Sequence, residues 1–255
     1  MELSINDTRK VIQFAVIISN LKNILDDINF HFREEGLYFQ GMDAGHMSLT
    51  ELYLSKEWFN TYKVDKSYCL GIHIPCLDTI ISCLNKGYTI QMQYKKNDRL
   101  NIILTDDKIV KEYSMILLEI DEMTMEVPSP EYTSDIIMKS RAFKNYITEL
   151  TKFGENLRVN SNQKNIVLST KGDYGKSKII IDEKYLEEYA IEEDAILEQN
   201  YNMAMVKLFT NFTNLNGIVK IHLLENMPMK MQFSLNDEDS ENNKITFYLA
   251  PKIED

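Results

Sequence analysis

The sequence is poor in the residues that mark several large protein classes. Only three cysteines, Cys69, Cys76 and Cys83, occur in 255 residues. So odd and sparse a count is no disulfide framework and suits a reducing compartment. Five prolines leave no proline-rich disordered bulk. No apolar run is long enough to span a bilayer, and Met1 to Asp7 lacks the basic start and apolar stretch of a secretory signal. The expectation is a soluble intracellular protein with no membrane partner.

The chemistry of an active site is missing as well. His31, His46, His73 and His222 are dispersed, none at metal-ligand spacing with a cysteine or a second histidine. Cys76 and Cys83 fall on one face of a predicted helix, where core packing explains them. Asp43 and His46 have no nucleophile or oxyanion glycine beside them, so a turn between strands accounts for both. Neither phosphate-cradling glycine motif is present, and Gly172 to Lys176 reads as a hairpin loop between strand-like runs. The acidic run Asp182 to Glu188 reads as a solvated surface. No catalytic residue, metal or cofactor is expected.

Positive charge is also in deficit. Lys and Arg number 28 against 39 Asp and Glu, a formal charge of −11. Tight nucleic-acid binding needs cations to displace phosphate counterions. Any contact with DNA must therefore be weak and confined to a less acidic face.

What is present is ordinary globular material: 44% apolar and 26% charged residues, enough for one large domain or two smaller ones. Phe14, Ile17, Ile18, Leu21 and Leu25 follow the helical repeat and predict a helix from Phe14 to Ile28. Strand-like blocks follow at Leu37 to Gln40 and Leu49 to Leu54. Cys69 to Ile74 reads as a strand and Leu77 to Leu84 as a helix, broken at Gly87. Tyr88 to Tyr94 and Leu100 to Leu104 form a hairpin around the polar turn Lys95-Lys96-Asn97-Asp98.

The second half repeats the order. Phe143, Tyr146, Ile147 and Leu150 answer Phe14, Ile17, Ile18 and Leu21 at a shift of roughly 129 residues. Leu208, Phe209 and Phe212 answer Ile80, Ile81 and Leu84. Hairpins follow from Gly217 to Leu224 and Met229 to Leu235, then a turn from Asn236 to Asn243, then Ile245 to Leu249. Two copies of one α+β fold are expected, with residues 1–117 and 134–255 as domains. The stretch 118–133, with its prolines and acidic groups, would be an extended surface connector.

Four stretches carry a family resemblance. Gly36-Leu-Tyr-Phe-Gln-Gly-Met-Asp-Ala-Gly-His-Met-Ser-Leu49 and the tail Tyr248-Leu-Ala-Pro-Lys-Ile-Glu254 are the most specific. Phe59-Asn-Thr-Tyr-Lys-Val-Asp65 and Val127-Pro-x-x-Glu-Tyr132 agree with them. Together they resemble proliferating cell nuclear antigen (PCNA), the DNA sliding clamp of eukaryotes, archaea and some large DNA viruses.

The resemblance implies a non-catalytic processivity factor for DNA replication and repair. Three chains would close head to tail into a homotrimeric ring around double-stranded DNA, with helices lining the hole. The joint would pair an edge strand near Val110 to Leu117 with one near Lys176 to Ile181 of the neighbour, with Tyr113, Ile179 and Ile181 as interface side chains. DNA polymerases, clamp loader, flap endonuclease and DNA ligase would bind through short PIP-box peptides. Their pocket would use Met42, His46, Met47, Leu49, Met125, Val127, Pro128, Pro228, Tyr248, Leu249, Ala250, Pro251 and Lys252. The expected location is the nucleus, or a cytoplasmic replication site for a large DNA virus. A paralogous clamp subunit of a heterotrimer or checkpoint-type ring is the alternative.

The chain departs from the family on its helices. Thr79, Ser82, Asn145, Thr148 and Asn211 stand where relatives carry Lys or Arg. Lys22 is retained, Lys152 takes a basic or histidine position, and Arg9, Lys10, Lys144 and Lys207 lie nearby. A weak basic lining is expected. The regulatory ubiquitin-acceptor lysine of many relatives falls opposite Gln163, with Lys164 next to it.

Overall fold

The computed structural model describes residues 1–106, 108–121, 125–128, 130–235 and 242–252. Residues 236–241 of the expected turn, Ser129 of the connector motif, and Ile253 and Glu254 of the tail motif lie outside the described residues.

The elements come in two series of the same order. The first is β1 (Glu2–Ile5), α1 (Thr8–Leu21), β2 (Asp27–Arg33), β3 (Gly36–Met42), β4 (Ser48–Ser55), β5 (Thr61–Lys63), β6 (Tyr68–His73), α2 (Ile74–Ile81), β7 (Thr89–Tyr94), β8 (Arg99–Thr105) and β9 (Val110–Ile116). The second is β10 (Ser134–Lys139), α3 (Ser140–Leu150), β11 (Asn156–Asn162), β12 (Asn165–Gly172), β13 (Gly175–Asp182), β14 (Glu188–Ile191), β15 (Ile196–Asn202), α4 (Met203–Phe209), β16 (Ile218–Leu223), β17 (Met229–Ser234) and β18 (Lys244–Leu249). In each series one helix follows the first strand and another follows the sixth.

Strand order repeats too. The first series arranges β5-β1-β7-β8-β9 and the second β14-β10-β16-β17-β18; β4-β3-β2-β6 is likewise matched by β13-β12-β11-β15. An α+β fold duplicated within one chain follows from this correspondence.

The chain divides into two compact units. Unit 1 comprises residues 1–44, 51–125 and 234–245; unit 2 comprises 45–50, 126–233 and 246–255. In unit 1 the helices bury one apolar stripe each. Val11, Phe14, Ile17, Ile18 and Leu21 are buried on α1, and Ile74, Leu77, Ile80 and Ile81 on α2. Each such side chain contributes about 1.5–3 kcal/mol of burial free energy. In unit 2, Phe143, Ile147 and Leu150 do the same on α3. There Phe247 of β18 stacks on Phe209 at 4.5 Å and lies 4.8 Å from Phe212.

The first helix begins and ends earlier than its apolar spacing predicts. The Asp7 side chain accepts from the Lys10 amide at 3.0 Å and caps the helix at Thr8. The chain then turns after Leu21, with the amides of Ile24 and Leu25 both bonded to the Leu21 carbonyl. Leu25 is buried in that turn, so its spacing mimicked one more helical turn. The second helix also ends early, at Ile81, which leaves Cys83 in the following turn rather than on a shared helical face with Cys76.

The connector's first part is bound to unit 1. The Leu118 amide donates to the Gly71 carbonyl at 2.9 Å, and the Asn29 amide group donates to the Ile120 carbonyl at 3.2 Å. A Cβ on Gly71 would stand 2.2 Å from the Leu118 oxygen, so only glycine admits this approach. Among the described residues, no helix is long and apolar enough to cross a membrane.

Candidate functional site

The helices expected to face DNA present short neutral side chains, most of them bonded to their own helix. Thr79 donates to the Pro75 carbonyl at 2.9 Å and Ser82 to that of Thr79 at 2.7 Å. Asn20 donates to Val16 at 2.8 Å and Thr148 to Lys144 at 2.7 Å. Donors used in this way are unavailable to a phosphate.

Several of the cations are engaged as well. Lys22 forms a 2.6 Å ion pair with Asp78, whose side chain is only 12% exposed. Lys10 turns its ammonium to the Trp58 carbonyl at 2.6 Å, over the indole ring. Lys144 reaches the Asn211 side chain at 3.4 Å. Arg9, Lys152 and Lys207 are exposed, and neither Lys152 nor Lys207 has a carboxylate partner among the described residues. Asp78 is a residue that periodicity alone could not single out, since it lies on the edge of α2's apolar stripe.

The residues expected for peptide binding fall into groups within each unit. In unit 1, Met42 and Met125 are 36% and 43% exposed. Gln40, two residues before Met42 and on the same face of β3, braces the connector from both sides. Its amide donates to the Met125 carbonyl at 2.9 Å, and its oxygen accepts from the Met125 amide at 2.7 Å.

In unit 2 the turn before β4 holds His46 at φ 52° and exposes Met47. The Met47 carbonyl accepts from the Ala250 amide at 3.0 Å. The tail continues with the Lys252 amide on the Asn200 carbonyl at 2.7 Å and its ammonium on the Asn156 side chain at 2.6 Å. Pro128 and Ala250 are exposed, while Val127, Pro228, Tyr248 and Pro251 are half-buried. Leu49 and Leu249 differ from the rest: strand alternation turns both inward, and Leu249 is fully buried. They back the surface rather than form it.

The two strands expected at a joint each have a neighbour on one side only among the described residues. β9 ends one sheet beside β8, and β13 ends another beside β12. On β9 the exposed side chains include Val110 and Ile116; on β13 they include Ile180. Tyr113 points the other way, half-buried, with its hydroxyl held above the ordinary tyrosine range, chiefly by a hydrogen bond with the Cys83 thiol. Ile179 is half-buried. Ile181, expected as an interface side chain, is instead buried in its own unit beside Ile166; alternation along β13 gives the outward place to Ile180.

The strands equivalent to these two in the other series are paired. β18 has β4 on its outer side. Within unit 2 the Ala250–Met47 bond closes one end of that pairing. Within unit 1 the Ser55 amide donates to the Asn243 side chain at 2.7 Å near the other.

Two series of strands and helices in the same order, with edge strands at β9 and β13 among the described residues, define a duplicated α+β fold, and comparison with known proteins supplies the family. Residues 8–126 match the family model "Proliferating cell nuclear antigen, N-terminal domain", and residues 126–252 match "Proliferating cell nuclear antigen, C-terminal domain". The chain belongs to the PCNA family, the non-enzymatic DNA sliding clamps. It is 26% identical over 247 residues to proliferating cell nuclear antigen of Chaetomium thermophilum, covering 94% of each chain. It is 26% identical to that of Caenorhabditis elegans, over 94% of this chain and 93% of the relative, and 25% identical to that of Dictyostelium discoideum, over 93% and 95%.

Proposed function

We propose that this clamp is a homotrimeric processivity factor that encircles duplex DNA in replication and repair. It would hold polymerases, clamp loader, flap endonuclease and ligase by short peptide motifs. The observation that carries the reading is the unequal treatment of equivalent edges. The fourth strand of the first series covers the ninth strand of the second. The ninth strand of the first series, β9, and the fourth of the second, β13, have no partner on their outer side among the described residues. A neighbouring copy that repeats the β18–β4 pairing between its β13 and this β9 would satisfy both. Because the joint is heterologous, it propagates until it closes on itself.

Retention in such a ring is topological, so the sparse cation set on the helices suffices and leaves the clamp free to slide. Peptide partners would dock on Met47, His46, Val127, Pro128, Pro228, Tyr248, Ala250, Pro251 and Lys252 of unit 2. On unit 1, Met42 and Met125 are exposed and would themselves offer apolar contacts, and methionine adapts to varied anchors. The workplace would be the nucleus, or a cytoplasmic replication site.

Light scattering of the purified chain tests the assembly: a mass three times that of one chain is expected. A single-chain mass that rises to a trimer only on mixing with other clamp subunits would assign the protein to a heterotrimeric ring instead. Adding a glutamine-anchored bis-aromatic peptide should give one binding event per chain, weakened by Met47→Ala.

A further inference from the structure

A group of lysines lies at one end of the β5-β1-β7 strand trio in unit 1. Antiparallel pairing brings three chain ends together there. Glu2 of β1 stands opposite Lys63 of β5 and Gln93 of β7. The loop after β5 (Val64 to Ser67) and the turn after β7 (Lys95 to Asp98) therefore project on the same side. Between them is an open cavity of about 750 Å³, lined by Glu2, Lys63, Asp65, Tyr68, Lys95 and Lys96 among others. Lys66 adjoins it, its ammonium 5.6 Å from the centre of the Tyr68 ring.

Both carboxylates at this cavity are already engaged. Glu2 accepts from the Gln91 side chain at 2.9 Å and pairs with Lys63 at 3.5 Å. Asp65 accepts a 2.5 Å hydrogen bond from the Tyr68 hydroxyl. That bond pushes the Tyr68 hydroxyl up to about 12 and holds the Asp65 carboxyl below its ordinary value. No carboxylate lies within ion-pairing distance of Lys66, Lys95 or Lys96 among the described residues, and Lys96 adds only a minor electrostatic pull on Asp65. In a chain of net charge −11, this leaves a local excess of positive charge around a concave surface. The turn carrying it is fixed: Lys96 has φ 59°, and the Arg99 amide bonds the Asn97 side chain at 3.3 Å.

We propose that this cavity is a second nucleic-acid contact, binding a phosphodiester backbone separately from the helix faces. Lysines without a fixed fork suit a repeating polyanion better than a single carboxylate, which an arginine would clamp in two bonds. Lys22, by contrast, is occupied by Asp78. The contact is electrostatic and weak, and it is lost as salt rises. The site does not depend on ring closure.

The test uses the full chain and short labelled 20-nucleotide probes, which a ring cannot retain by threading. Fluorescence anisotropy is read with a single strand, a duplex and a poly-glutamate peptide of similar charge. The Lys95→Glu, Lys96→Glu double variant, both positions in an exposed turn, should bind nucleic acid at least about tenfold more weakly. Its log–log salt slope for a single strand should fall by about 1.4, two lysines at about 0.7 each. Lys164→Gln, at an exposed position between β11 and β12 in unit 2, should leave binding of the single strand unchanged. The two nucleic-acid probes tell whether the backbone comes from a single strand or a duplex. Loss with either supports the site, provided the thermal melting curve is unchanged. Wild-type affinity in the double variant for both probes, or capture of poly-glutamate in preference to nucleic acid, overturns it.

Discussion

β9 and β18 hold the same place in the two series and meet opposite fates. β18 buries Ile245, Thr246, Phe247 and Leu249, and β4 runs along its outer edge; β9 buries Met115 alone and exposes Val110 and Ile116. A strand that keeps apolar side chains beside an unpaired edge is a liability unless something covers it. The difference is what the proposed ring would use: one such pairing is formed within the chain, and β9 would offer the equivalent edge to a neighbour.

The most damaging way to probe that contrast is to truncate the covered strand. Phe247→Ala removes a fully buried ring packed against Phe209 and Phe212 and should cost about 3–5 kcal/mol in urea denaturation. Tyr113→Ala on β9 should leave the single chain's stability nearly unchanged. Equal losses would abolish the distinction between the two strands.

Next in size is the uncovered edge itself. Val110→Lys combined with Ile116→Lys places charge where a neighbour would pack. It should weaken association about 100-fold or more, roughly 2.7 kcal/mol, with the circular dichroism spectrum intact. Light scattering at micromolar concentration would then report single chains. A persistent trimer would mean that the joint lies elsewhere.

The helix pairs offer a finer contrast. Unit 1 joins its helices through Lys22 and a charged partner, Asp78; unit 2 does so through Lys144 and a neutral one, Asn211. Asp78→Asn makes the first pair resemble the second and frees a cation. The log–log salt slope for duplex association should steepen by about 0.9, one phosphate. An unchanged slope would show that Lys22 does not face DNA.

The smallest effect concerns the turn into β9. Asp106 accepts from the Lys108 amide at 2.8 Å and the Ile109 amide at 2.7 Å, bonds that hold its carboxyl below the ordinary value. A depressed carboxylate stabilises the fold above its unfolded pKa of about 3.9 and loses that contribution as pH falls through the lower folded value. Amide exchange at the start of β9 should therefore quicken in acid more than exchange in β18. Asp106→Asn should abolish the acid-dependent part of that difference.

Much of the fold was legible because spacing reports local structure. The shift of roughly 129 residues marked two series, and Gly172 to Lys176 did become the β12–β13 hairpin. Helix ends were less legible: the Asp7 cap moved α1 forward, and Leu25 kept helical spacing inside a turn. The candidate surfaces were legible only as residue types. Nothing in the spacing says that Ile181 turns inward while Ile180 turns out, or that Gln40 holds Met125 by both its oxygen and its nitrogen.

By itself the sequence determined the family resemblance, the duplication and the poverty of cations, because motifs, periodicity and composition are properties of the chain. Tertiary structure alone decided which lysines keep their charge available and which strand edges stay uncovered. Both depend on partners distant in sequence, such as Lys22 and Asp78 or β4 and β18, and a charge or an edge is free only when no such partner reaches it.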